Sequence, residues 1–314
     1  MQVVPPMKLK AIVPYFGGKR TLARKIVAEL GPHDSYFEPF CGSLAVLLDK
    51  PPAQIETVND CHGDLINLAM VLASDSWNDL YEAVDRTLLC EELTRSVQKE
   101  CSVDFTPAES ASAVTEIHCR RAARYMALSW IARNGVAGTA RVNYQIAVRW
   151  TRGGGSPGIR WRSAVDSVPA WHDRLKGVVI MRRDAFTILD KIGDEEGMAI
   201  YVDPPYFKST RGSGGSGGYL YDFGQNDNPM PGGHDDHDRL ADILQRFKRA
   251  RIVVSYYAHP RLQALYVDRG WTLREVEMNK NLAVQNKRGA VGRTKAPEVL
   301  LMNGPSVCRQ GVMF

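Results

Sequence analysis

The stretch Tyr36-Phe37-Glu38-Pro39-Phe40-Cys41-Gly42-Ser43 decides how the chain is read. Tyr36 to Phe40 is an apolar strand candidate. Cys41-Gly42-Ser43 then turns the chain into a helix, Leu44 to Asp49. Ile55 to Asn59 is the next strand, ending at Asp60, and Asp64 to Ala73 is the helix after it. Upstream, Leu22, Ile26 and Leu30 recur at helical spacing. This alternation of strand and helix predicts a parallel sheet with right-handed crossovers, an α/β fold.

The rhythm breaks at about residue 77 and resumes at Val178. Asn78 to Glu100 reads as helix. Thr106-Pro107-Ala108-Glu109 has the pattern of a capping box that opens a long helix, closed by Asn134-Gly135. Arg141 to Trp150 alternates like a strand, and Gly153 to Gly158 is a loop. Residues 77–175 are therefore expected to form an inserted, mainly helical lobe, with 1–76 and 176–314 making the main domain. After Val178 to Met181, Phe186 to Ile192 and Ala199 to Val202 comes a Gly/Ser/Asn-rich stretch, Phe207 to Gly233, too long for a plain connector. Asp236 to Ala250 and His259 to Arg269 read as helices, and Arg251 to Ser255 as a strand. Trp271 to Glu277 and Glu298 to Met302 read as a closing hairpin at a sheet edge.

The 314 residues are 44% apolar and 24% charged, which excludes a fibre, a disordered tail protein and a small disulfide-stapled scaffold. No apolar run is long enough to span a bilayer, and Met1 to Lys10 does not read as a signal peptide. The six cysteines have neither Cys-x-x-Cys nor zinc spacing, so free thiols in a reducing cytoplasm are expected, with no metal. The net charge is only +5, but residues 118–185 carry thirteen Lys/Arg against three acids. Four of the six tryptophans, Trp130, Trp150, Trp161 and Trp171, fall in the same stretch. Arginine interleaved with aromatics suits phosphate neutralisation and base stacking; a solvated face over core tryptophans reads equally well.

Chemistry concentrates in Asp203-Pro204-Pro205-Tyr206, directly after the strand Ala199 to Val202. In open α/β sheets, ligands bind at the carboxyl ends of strands. Two prolines fix the backbone, so the Asp203 carboxylate and the Pro204 carbonyl are held as adjacent acceptors. Such a pair suits an amino group that loses hydrogen as it is alkylated, and Tyr206 can stack on a planar ring. The turn at Gly42 lets backbone amides approach a ligand, although it also reads as a packed turn. Asp60 has the place of a ribose-binding acid or of a helix cap. Tyr15-Phe16-Gly17-Gly18-Lys19 offers an aromatic, a turn and a cation. His234-Asp235-Asp236-His237 reads better as a helix start than as a metal site. Cytosine ring methylation and zinc deamination are excluded, because Pro-Cys, His-x-Glu and Cys-x-x-Cys are all missing.

Taken together, these pieces resemble one family, the Dam-like DNA adenine methyltransferases. The match runs through Tyr15 to Lys19, Glu38 to Gly42, Asp60 with Asp64-Leu65-Ile66, and Asp203 to Tyr206. Arg133-Asn134-Gly135 with Arg141 also resembles a stretch of the family. The chain departs at Leu44, where the family often has a further glycine, and at Tyr15, where it often has tryptophan.

The resemblance implies a Rossmann-like S-adenosylmethionine-dependent methyltransferase sheet with an inserted target-recognition lobe. It implies S-adenosylmethionine on Tyr15, Lys19, Phe40, Gly42, Asp60 and Asp203. Catalysis would fall to Asp203, Pro204 and Tyr206, acting on an adenine flipped out of double-stranded DNA. Arg133, Asn134, Arg141, Arg149, Lys287 and Arg288 are the candidates for touching DNA. The rival expectations are an RNA adenine or protein amide as acceptor, and an inactive DNA-binding relative.

Overall fold

Among the described residues seven strands, several of them continuous apolar runs, build one sheet with both faces covered. The computed structural model describes residues 9, 11–15, 17–101, 103–131, 156–210, 223, 235–276 and 297–308. Strands β1 (Ser35–Glu38), β2 (Ile55–Asn59), β3 (Val179–Met181), β4 (Met198–Val202) and β5 (Arg251–Tyr257) run parallel. Strands β6 (Thr272–Val276) and β7 (Glu298–Met302) complete the order β3-β2-β1-β4-β5-β7-β6. The expected hairpin pair is present, but β7 slots antiparallel between β5 and β6. All five β7 residues are buried, which suits its run of Val299-Leu300-Leu301-Met302.

The period of two sorts the side chains. Tyr36, Ala199, Tyr201 and Val253 face one core cluster. Phe37, Ile200, Val202, Ile252 and Val254 face the other. Helices α1 (Ala23–Leu30), α2 (Ala45–Asp49) and α3 (Gly63–Ala73) cover the first face. Helix α9 (Ala185–Leu189), α10 (Asp236–Leu244) and α11 (Arg261–Leu265) cover the second.

Between β2 and β3 lie α4 (Trp77–Asp85), α5 (Glu91–Glu100), α6 (Glu116–Ile131), α7 (Pro157–Val165) and α8 (Val168–Leu175). Their apolar residues join the α3 side of the first core rather than forming a separate one. Trp130, Trp161 and Trp171 are buried within it, so these three tryptophans pack the core and present no face to a base. Truncating the fully buried Trp171 to alanine costs about 3–5 kcal/mol by the usual cavity penalty. Trp150 and the strand expected over Arg141 to Trp150 lie outside the described residues.

One expected helix start is misplaced. The Thr106 to Glu109 pattern opens no helix; α6 begins at Glu116 after a short 3-10 turn, Ala111–Ala113. The cause is tertiary. The Arg121 guanidinium holds the carbonyls of Glu100 and Val103 at 2.6 and 2.8 Å. The Phe105 carbonyl is pressed so close to α3 that a Cβ on Gly63 would lie 1.9 Å from it. A segment pinned in this way cannot coil until it has cleared α3. Helix α7 also starts inside the expected loop, with Pro157 in its first turn and Ser156 accepting from the Gly158 amide.

The strand order places the reversal of connection between β1 and β4. The crevice outside their carboxyl ends is where such sheets bind ligands.

Candidate active site

Four strand ends supply the walls of this crevice. Beyond β1, the chain passes through Glu38, Pro39 and Phe40 to Gly42, whose φ of +47° lies in the region that favours glycine. A Cβ at Gly42 would stand 3.4 Å from the Tyr15 ring. Leu44 follows at φ +60°, the one non-glycine residue with positive φ among the described residues. That conformation costs on the order of 1 kcal/mol for a side chain. Complete burial of Leu44 in the core offsets it. A leucine can therefore stand at this position, where the resembled family often has a further glycine.

Asp60, just past β2, is buried, and both its oxygens accept backbone donors. Oδ2 takes the Gly42 amide at 2.9 Å and Oδ1 the His62 amide at 3.0 Å. His62, not Asp60, caps α3. Burial pushes the Asp60 carboxyl above its ordinary range, and the two amide donors oppose that shift. Asn59 staples three strand ends together. Its amide donates to the carbonyls of Pro39 and Arg183, both at 3.0 Å, and its oxygen accepts from the Arg183 amide at 2.8 Å.

Asp203 follows β4 and is about one-fifth exposed. Its Oδ1 accepts from Ser255 Oγ at 2.8 Å and pairs with Lys19 Nζ at 2.9 Å. Ser255 Oγ is in turn 2.9 Å from the Tyr201 hydroxyl. Lys19 also donates to the Gly17 carbonyl at 2.7 Å and lies 3.3 Å from Glu298 Oε1. Both contacts fall on one oxygen of Asp203, leaving Oδ2 outside them.

These walls enclose a cavity of about 420 Å³. Of the residues singled out in the sequence, Tyr15, Lys19, Phe40, Gly42, Asp60 and Asp203 all line it. Pro204 and Tyr206 do not: both are buried behind the wall. The Tyr206 ring is only 1% exposed, with its hydroxyl donating to Glu298 Oε1 at 2.9 Å. Lys19 sits 4.8 Å from the ring centroid, and Tyr257 packs edge-on at 4.7 Å. Arg133, Asn134, Arg141, Arg149, Lys287 and Arg288 lie outside the described residues.

Several lining residues escaped the sequence reading. Glu38 is buried, and desolvation pushes its carboxyl up to about 8, with the hydrogen bond from Tyr36 opposing and nearby Asp203 adding to the rise. Arg183, Asp184 and Phe186 reach the cavity from the end of β3, where the strand-end rule that picked Asp60 applies equally. Phe223 stands against Phe40 and Phe186, with centroids 5.8 and 5.4 Å away. Asp236 and Arg239 reach in from α10, the Arg239 guanidinium 4.4 Å from the Phe186 centroid.

The donor set suits one kind of guest. Five carboxyl groups (Glu38, Asp60, Asp184, Asp203 and Asp236) face three cationic side chains, Lys19, Arg183 and Arg239. Phe40, Phe186 and Phe223 add an aromatic wall. Those walls offer a guest stacking faces, carboxyl acceptors and cationic donors.

The model of the D12 class N6 adenine-specific DNA methyltransferase family matches residues 15–279. The chain belongs to that family. Its activity is methylation of adenine in DNA, and its mostly parallel seven-stranded sheet is the Rossmann-like frame expected of it. No curated protein matches the chain.

The matched span begins at Tyr15 and includes every described residue that lines the cavity. Among the described residues no group of His, Cys, Asp and Glu could hold a metal ion. Asp235 caps α10 and pairs with Arg261 at 2.7 Å, while the buried His237 ring stacks on Phe207. No helix among the described residues is long and apolar enough to cross a membrane.

Proposed function

We propose that the cavity binds S-adenosylmethionine and that Asp203 receives an adenine flipped out of double-stranded DNA. The observation that carries this reading is the state of Asp203. One oxygen is locked by Ser255 and Lys19, the other is left outside those contacts, and the residue borders the same cavity as Asp60 and Gly42. When bound, S-adenosylmethionine supplies a methyl group carried on a sulfonium.

Asp60 offers its remaining lone pairs to the ribose hydroxyls, and Phe40, Phe186 and Phe223 flank the adenine ring of the cofactor. Asp203 balances its positive charge, and the buried Glu38, which keeps its proton up to about 8, offers a polar contact without charge. Tyr15 packs over Gly42 and shapes the turn beside it. Extruding a base from the duplex costs a few kcal/mol, which contacts on the DNA backbone must repay. We assign those contacts to Arg133, Asn134, Arg141, Arg149, Lys287 and Arg288, and target recognition to residues 77–175.

Asp203 accepts a hydrogen bond from the exocyclic amine, and the Pro204 carbonyl, buried here, becomes the second acceptor once the entering base uncovers it. They draw its lone pair out of conjugation with the ring and toward the methyl group. Fixed acceptors need no reorganisation during the reaction, so orientation and electrostatics supply the acceleration. Stacking of Tyr206 on the flipped base requires the side chains that now cover its ring, Lys19, Tyr256 and Tyr257, to move aside.

D203A is expected to slow single-turnover methyl transfer by about 100- to 1000-fold, the scale for losing one preorganised electrostatic contact. Calorimetric binding of S-adenosylmethionine should stay largely intact, weakening far less than the rate falls. Wild-type turnover in D203A would refute the role of Asp203. Digestion of DNA labelled by the wild type should give N6-methyladenine alone.

A further inference from the structure

Glu298 is the first residue of β7, far along the chain from every motif of the site. Because β7 runs antiparallel to β5, its first residue lies at the carboxyl rim, paired in register with Tyr257. Its side chain is buried, and Oε1 accepts the Tyr206 hydroxyl at 2.9 Å. The same oxygen is 3.3 Å from the Lys19 ammonium, whose other carboxylate neighbour is Asp203 at 2.9 Å. One buried ammonium thus stands between two carboxylates, and one of these also holds the tyrosine of the Asp-Pro-Pro-Tyr segment.

This arrangement has an electrostatic consequence. A cation paired with Asp203 alone would draw electron density from the acceptor that must bind the incoming amine. Glu298 takes a share of that charge, so Asp203 remains a strong acceptor while Lys19 still fixes its orientation. The same carboxylate satisfies the Tyr206 hydroxyl, which would be costly to leave unpaired at that depth. We propose that Glu298 is a positioning residue for methyl transfer, setting the acceptor strength of Asp203 through Lys19 and the seat of Tyr206 through its hydroxyl. The proposal rests on the reading of Asp203 given above.

The test uses the full chain, duplex DNA and methyl-labelled S-adenosylmethionine, with single-turnover rate and calorimetric cofactor affinity measured for each variant. E298Q keeps an oxygen for the tyrosine but removes the charge. Its rate should fall roughly 10- to 100-fold, the range for a small misplacement at the reacting centre, while cofactor affinity stays at the wild-type value. E298D, which keeps the charge on a shorter arm, should recover part of that rate. Y206F should slow transfer by less than E298Q does.

E298Q turning over as fast as the wild type overturns the proposal. So does equal slowing of E298Q and E298D with cofactor affinity lost in both, since that pattern marks a merely structural role. If E298Q does not fold, Y206F decides: a wild-type rate overturns the proposal, and a slower rate at unchanged cofactor affinity supports it. A wild-type chain that transfers no methyl group to DNA adenine overturns both this proposal and the reading beneath it. A wild-type chain that does, beside an equally fast E298Q, overturns this one alone.

Discussion

The carboxyl rim of the sheet and the helices between β2 and β3 use charge in opposite ways. At the rim, Lys19, Asp203 and Glu298 come from three distant parts of the chain and meet within 3.3 Å beside an open cavity. Among the described residues of the basic window, from these helices to the end of β3, five arginines are already paired with acids. Arg121 pairs with Asp64, Arg124 with Glu100, Arg162 with Asp85, Arg174 with Glu56 and Arg182 with Asp104. Every one of these acids lies outside residues 118–185. The surplus in one stretch is answered by acids from another, so charge summed along a window is not charge displayed to a ligand.

The sharpest way to break this contrast is R121A. If Arg121 holds the fold, the variant should lose about 3 kcal/mol in chemical denaturation, the scale for stranding a buried carboxylate such as Asp64. DNA affinity of the folded fraction should not change. Weaker DNA binding at unchanged stability would make Arg121 a phosphate contact and erase the distinction.

A subtler effect belongs to the rim. Glu38 titrates near 8 in the folded chain and in the ordinary glutamate range when unfolded. Between those two values the folded state holds more protons, so wild-type stability should fall as pH rises toward about 8 and then level off. In E38Q that slope should vanish. Denaturant midpoints across the window measure it, and parallel curves for the two proteins would show that Glu38 is ionised throughout. The smallest effect is expected from R162A. Arg162 bridges Asp85 and Asp166 at the exposed surface, where pairs contribute little, and its melting temperature should match the wild type within error.

How much of this was legible beforehand follows the same divide. The alternation around Phe37 to Ser43 carried the parallel sheet, because strand and helix periods are local properties. Asp60 and Asp203 were legible because strand ends in such sheets face ligands. Asp184 and Phe186 follow a strand that the sequence also showed, Val178 to Met181, but no motif marked them, and only the fold shows that this strand end borders the same cavity. Glu298 carried no local signal at all; its position depends on β7 reversing direction beside β5. Tyr206 and the tryptophans show the converse limit. An aromatic next to a motif or among arginines looks available for stacking, yet whether a neighbouring side chain already covers it is a tertiary fact. The Thr106 capping pattern failed for that reason too, overridden by the grip of Arg121 on the preceding carbonyls.

The amide of Asn59 touches the chain after β1 and the chain after β3 while standing at the end of β2. A guest molecule arriving there meets a crown already cast, so little of its affinity is diverted into taming loose loops. The same economy makes the crown brittle: loosening that single carboxamide would unsettle the Pro39 side and the Arg183 side of the pocket together, and no repair confined to either side would restore the other.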